Sequence, residues 1–125
     1  MKRMPREYEL WRIRNMEKEA SRRKQSAWDA YVDVGRRHDD AYYNLVLAKE
    51  DLKSARRRLE YGRDEEIEFE LASKRYRAAL EELEFQEIER ERIMVEFGVA
   101  CSEHKHWSEV LRQRSMGVDR IKACG

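Results

Sequence analysis

Glu60-Tyr61-Gly62-Arg63-Asp64-Glu65-Glu66 is the stretch where one long helical pattern stops and another starts. Gly62 can take the left-handed conformation past a helix end, where a Cβ would clash. Asp64 can cap the next helix by accepting from its unpaired N–H groups, and Glu65 and Glu66 suit the positive end of that helix's dipole. The stretch predicts a reversal over residues 60–64.

Upstream, residues 6–59 read as one helix. Pro5, the single proline, stands where a first helical turn tolerates one, and Gly35 is the one helix-weakening residue in the run. Ile13, Ala20, Ala27, Val34, Ala41, Ala48 and Ala55 recur every seven residues. Leu45, Leu52 and Leu59 follow the last three of these by four, and Tyr31 continues that row. Downstream, residues 65–115 read as a second helix with Gly98 inside it and Gly117 as its stop. Residues 1–5 and 116–125 are left as tails. Phe69, Ala72, Tyr76, Ala79, Leu83, Gln86, Arg90, Ile93, Phe97, Ala100, His104, Trp107 and Leu111 keep a 3,4 spacing without a slip. Such spacing is the seam of a coiled coil.

Folding one helix back on the other tests the reversal. Facing residues of an antiparallel pair should have numbers with a constant sum, and Ala55 with Phe69 sets it at 124. The same sum pairs Leu52 with Ala72, Ala48 with Tyr76, Leu45 with Ala79, Ala41 with Leu83, Ala27 with Phe97 and Ile13 with Leu111. Small faces large in nearly every layer, as close packing at constant interhelical distance requires. In this register Arg56, Arg57 and Arg58 fall opposite Glu66 and Glu68, and Arg36 and Arg37 near Glu87 and Glu89. Such exposed pairs contribute about 0–1 kcal/mol each and serve mainly to fix the pairing. The expected fold is an all-α, antiparallel two-helix coiled-coil hairpin, each helix some 50 residues and about 75 Å long, self-associating into a four-helix core.

Composition agrees. The chain of 125 residues allows one domain; it is 41% apolar and 42% charged, and one Pro and five Gly are too few to punctuate a many-stranded sheet. Three Trp, six Tyr and three Phe at periodic positions speak against disorder. The net charge of +1 conceals an asymmetry: residues 1–63 hold 17 Lys and Arg against 11 Asp and Glu, and residues 64–125 hold 10 against 15. Opposite halves suggest mutual neutralisation more than the overall basicity of a nucleic-acid binder. Apolar runs are too short for a membrane span or a secretory leader, so no membrane partner is expected. Two cysteines, Cys101 and Cys124, make no disulfide framework, which points to a reducing, cytoplasmic setting.

Chemistry-bearing residues are few. His38, Gln86 and Arg90 fall beside Val34 in the register as a polar layer across an apolar seam, which reads as a device that specifies pairing. Cys101-Ser-Glu-His104-Lys-His106 has metal-ligand residue types, but its members divide between helix faces, so no metal is expected. Arg22, Arg23, Arg56, Arg57 and Arg58 could contact phosphates, though carboxylates stand near each run. Nucleophile elbows and Gly-rich phosphate loops are absent, and the chain reads as non-enzymatic and free of cofactors.

One apolar surface is left over. Steps of four and three from Ile67 give Ile67, Leu71, Lys74, Ala78, Glu81, Phe85, Ile88, Arg92, Val95 and Val99, of which seven are apolar, on the face opposite the seam. Leu80 and Met94 widen it. On the first helix Trp28, Val32, Tyr42, Tyr43, Val46 and Leu47 also fall outside the seam. A two-helix coiled coil in water should be polar there. The expected function is therefore protein binding through this stripe, as an adaptor, scaffold, escort or inhibitor, with a homodimer the favoured assembly. The alternative is a nucleic-acid-associated helical protein using the basic first helix.

Overall fold

In the computed structural model the chain is an all-α helical hairpin of two elements, α1 over Arg6–Glu60 and α2 over Glu66–Cys124. The structure describes residues 6–62 and 66–124, and of residues 117–124 the backbone only. Among the described residues only Tyr61 and Gly62 lie outside the helices. Glu7 and Glu9 in the first turn of α1, and Arg57 and Arg58 in its last, oppose the helix dipole at both ends. Glu66 and Glu68 do the same at the start of α2.

Gly62 ends α1 with a positive φ of 68°. Its N–H donates to the Leu59 carbonyl at 3.1 Å, and the Tyr61 N–H donates to that of Arg57 at 3.1 Å. The first of these is the inner bond of a Schellman-type cap. The expected cap at Asp64, with Glu65 beside it, lies outside the described residues, as does the tail over 1–5.

The expected stop at Ser115 needs correction. The second helix runs through Gly117 to Cys124. A glycine costs a helix roughly 1 kcal/mol relative to alanine, and no proline follows to remove a ladder donor. Gly35 and Gly98 likewise interrupt neither helix.

Contacts gather in two compact units, residues Tyr31–Ile93 and residues 1–30 with 94–125. The unit over Tyr31–Ile93 holds the turn and buries Val34, Ala41, Ala55, Ala72, Leu83 and Ile93. Tyr31, Leu45, Ala48, Leu52, Leu59, Phe69, Tyr76 and Ala79 are half-buried in it. In the other unit Ala20 and Ala100 are buried, and Ile13, Ala27, Phe97, His104, Trp107 and Leu111 are half-buried. Every residue of the expected seam but Arg90 is thus withdrawn from solvent. Alanine at the closest approaches lets the backbones come together, and the larger side chains opposite fill the layer.

Candidate protein interface

The outer face of α2 keeps its apolar residues in water. In the unit over Tyr31–Ile93, Ile67 is 62% exposed, Phe85 54% and Ile88 66%, and Leu71 and Ala78 are exposed beside them. Lys74 and Glu81 share this face and are exposed too. Val95 and Val99 belong to the other unit and are also exposed, as is Met94. Isolated exposed apolar residues are ordinary on protein surfaces, but a row at helical spacing is not.

On α1, Tyr42, Tyr43, Val46 and Leu47 are exposed, whereas Val32 is half-buried. At 100° per residue, Tyr43, Val46 and Leu47 lie behind α1 relative to the seam residues Ala41, Leu45 and Ala48, and Tyr42 lies at its flank. The α2 stripe lies behind α2. The two apolar patches therefore point apart, and Tyr42 and Val46 do not join the α2 stripe in one surface.

The polar layer is smaller than expected. Gln86 is buried, 5% exposed, and its Nε2 donates to Glu82 Oε1 at 2.9 Å. Gln86 Oε1 and His38 Nδ1 are both buried without a hydrogen-bond partner. His38 Nε2 lies 3.7 Å from Glu87 Oε1 across the helices, an ion pair only when the ring is protonated. Arg90, by contrast, is exposed, and Val34 in the same layer is fully buried. Arg90 therefore leaves the layer: an arginine stem can lie along apolar surface while its guanidinium reaches water.

Two contacts between charged groups on facing helices lie outside the pairs the register suggested. Arg23 Nε lies 3.4 Å from Glu103 Oε2, and His104 Nε2 lies 2.9 Å from Glu17 Oε1. Arg37 pairs within its own helix with Asp33. Glu89 takes Arg92 at 2.8 Å, and that hydrogen bond holds the Glu89 carboxyl below the usual carboxylate range, with Arg37 adding a smaller pull in the same direction. Glu109 is lowered in the same way by its hydrogen bond to Arg112.

Ser108 Oγ sits 3.3 Å from His104 Nε2, the nitrogen that already faces Glu17. A relay in which histidine takes a proton from serine needs the carboxylate on the other ring nitrogen. Both groups lie on Nε2, so the trio does not have that geometry, and the contact of His104 with Glu17 is one that joins the two helices. Glu17 was legible only as one of many exposed-face acids. Among the described residues, no group of three or more His, Cys, Asp or Glu side chains is placed to hold a metal ion. Cys101 is a free thiol and half-buried.

Two open grooves lie among the described residues. One, of about 280 Å³, is lined by Ile13, Met16, Trp107 and Val110 with Glu9, Arg12 and Arg114. The other, of about 250 Å³, is lined by Lys49, Lys53 and Arg56 over Leu52, Phe69 and Tyr76. Arg22, Arg57 and Arg58 are exposed but line neither. No helix among the described residues is long and apolar enough to cross a membrane.

No protein-family model, curated protein or solved structure matches the chain.

Proposed function

We propose that this chain is a non-enzymatic helical interaction module, working in a reducing, cytoplasmic setting, whose protein-binding surface is the outer face of α2. One observation carries the reading: the seam residues other than Arg90 are withdrawn from water while Ile67, Phe85 and Ile88 stay more than half exposed. Burying one such side chain stabilises a complex by roughly 1.5–3 kcal/mol, so a few per chain can offset the entropy lost on association. Adaptor, scaffold, escort and inhibitor roles all fit this surface.

The test is the double variant Phe85→Glu with Ile88→Glu. Neither residue lies in the seam, so circular dichroism should show both helices intact. Association, whether with another copy or with a partner retained from the native host, should be lost. A double variant that associates as the wild type does would overturn the reading.

A second reading, contact with nucleic acid, draws on the groove in which Lys49, Lys53 and Arg56 stand over Phe69 and Tyr76 without a carboxylate in its lining. Cations beside aromatic faces suit a phosphate backbone with stacked bases. Binding to single-stranded DNA or RNA that falls steeply as salt rises would favour it, and absence of binding at low salt would remove it.

A further inference from the structure

The α2 stripe between Ile67 and Ile88 is close to palindromic. Ile67 and Ile88, Leu71 and Phe85, and Lys74 and Glu81 are three pairs, each centred within half a residue of Ala78. Two pairs are large and apolar, the third is of opposite charge, and the centre is the smallest residue of the set. All seven positions are exposed and lie on one face of one helix. Lys74 and Glu81 are seven residues apart, about 10 Å along the axis, too far to pair with each other inside the helix. Neither has an ion-pair partner among the described residues.

We propose that the occupant of this face is a second copy of the chain, packed antiparallel about a two-fold axis at Ala78. This rests on the reading of the stripe as a protein interface and names its partner. An isologous contact requires the same patch on both subunits to be self-complementary. The axis at Ala78 meets that requirement: Ile67 faces Ile88 of the partner subunit, Leu71 faces Phe85 of the partner subunit, and Lys74 faces Glu81 of the partner subunit, each twice. The small side chain on the axis lets the two helices approach where they cross. Moving the centre by half a heptad sets Lys74 against its own copy, or Glu81 against its own, so the charges oppose both of those registers. The rows beside the stripe work partly against this register. Arg75 comes level with Glu82 of the partner subunit, whereas Glu68 meets Glu89 of the partner subunit, Glu70 meets Glu84 of the partner subunit and Arg77 meets its own copy, all on a rim where solvent and salt screen them. Because the stripe lies behind α2, the assembly is a row with the two α2 helices at its centre, in place of a square four-helix core.

Three measurements on the full chain decide it. The wild type should sediment as a dimer. Lys74→Glu and Glu81→Lys should each weaken the dimer, roughly tenfold in Kd, by placing like charges together twice, and the two changes combined should restore it. In a background with Cys101→Ser and Cys124→Ser, Ala78→Cys should crosslink two copies on mild oxidation, since a residue on the axis meets its own copy. A dimer that shows neither the rescue nor the crosslink, yet is lost with Phe85→Glu and Ile88→Glu, overturns the axis and leaves the interface standing. A wild type that is monomeric at its highest soluble concentration overturns the second copy as occupant. If the double glutamate variant then loses a partner from the native host, the interface reading survives; if it loses nothing, both fall.

Discussion

Trp28 and Phe97 meet between the two helices, their ring centroids 5.4 Å apart and their planes tilted by 49°. The seven-residue repeat assigns Ala27 to the layer of Phe97 and leaves Trp28 outside it. The indole nevertheless reaches the phenyl ring from the seam's edge, while Trp28 itself stays 46% exposed. Aromatic pairs in tilted geometry gain about 0.5–1.5 kcal/mol beyond the area they bury. A double-mutant cycle with Trp28→Ala and Phe97→Ala, read by urea unfolding, should show coupling of that size. Additive losses would mean that each ring packs on alanine and aliphatic neighbours alone.

The seam itself is tested by charge. Ala41 is buried, and Ala41→Glu forces a carboxylate into the apolar layer shared with Leu83. Loss of about 3–5 kcal/mol of unfolding free energy is the expected outcome, in the range for an uncompensated buried charge. Ala48→Cys with Tyr76→Cys, in the cysteine-free background, should crosslink within one chain at low protein concentration. Crosslinks found only between chains would show that the facing sum of 124 is wrong.

Gln86 and His38 give a prediction of the opposite sign. Each has one buried polar atom without a hydrogen-bond partner, which costs on the order of 1–3 kcal/mol in desolvation. Gln86→Leu removes one of these atoms; the bond it sacrifices goes to Glu82, which stays exposed and can bond water instead. Gln86→Leu with His38→Leu should leave the helices intact and raise the urea midpoint, while loosening the specificity of pairing. A fall of several kcal/mol would show that the layer contributes stability.

The glycines separate helix cost from turn need. A Cβ built at Gly35 or Gly98 meets nothing within 4 Å, and both residues are helical. Gly35→Ala and Gly98→Ala should each stabilise the chain by about 0.5–1 kcal/mol in thermal or urea unfolding. Gly62 has equal space but a φ of 68°, so Gly62→Ala should cost about 1–2 kcal/mol. Gly62→Asn should cost less, because asparagine tolerates the left-handed region. Equal effects at all three positions would mean that the left-handed cap does not form.

Sequence alone determined that there are two helices, the place of their reversal and the residues of the seam apart from Arg90. A repeat of 3.5 residues has one low-energy outcome when alanine and leucine alternate along it, and the pattern adds over a dozen layers, so no single substitution obscures it. The same arithmetic marked Ile67, Phe85 and Ile88 as lying away from the seam, where the structure leaves them in water. Tertiary structure decided what depends on long side chains and on small free-energy differences. Arg90 holds a seam position by number but escapes to solvent, because its charge is hydrated at little cost from the end of a flexible stem. Arg37 takes Asp33 one turn away, since a neighbour on the same helix is already in place. His104 finds Glu17 and Arg23 finds Glu103, choices among many acids of similar spacing that only the packed helices make. The end of α2 was hidden for the same reason: Gly117 shifts the balance by about 1 kcal/mol, too little to stop a helix with no proline beyond it.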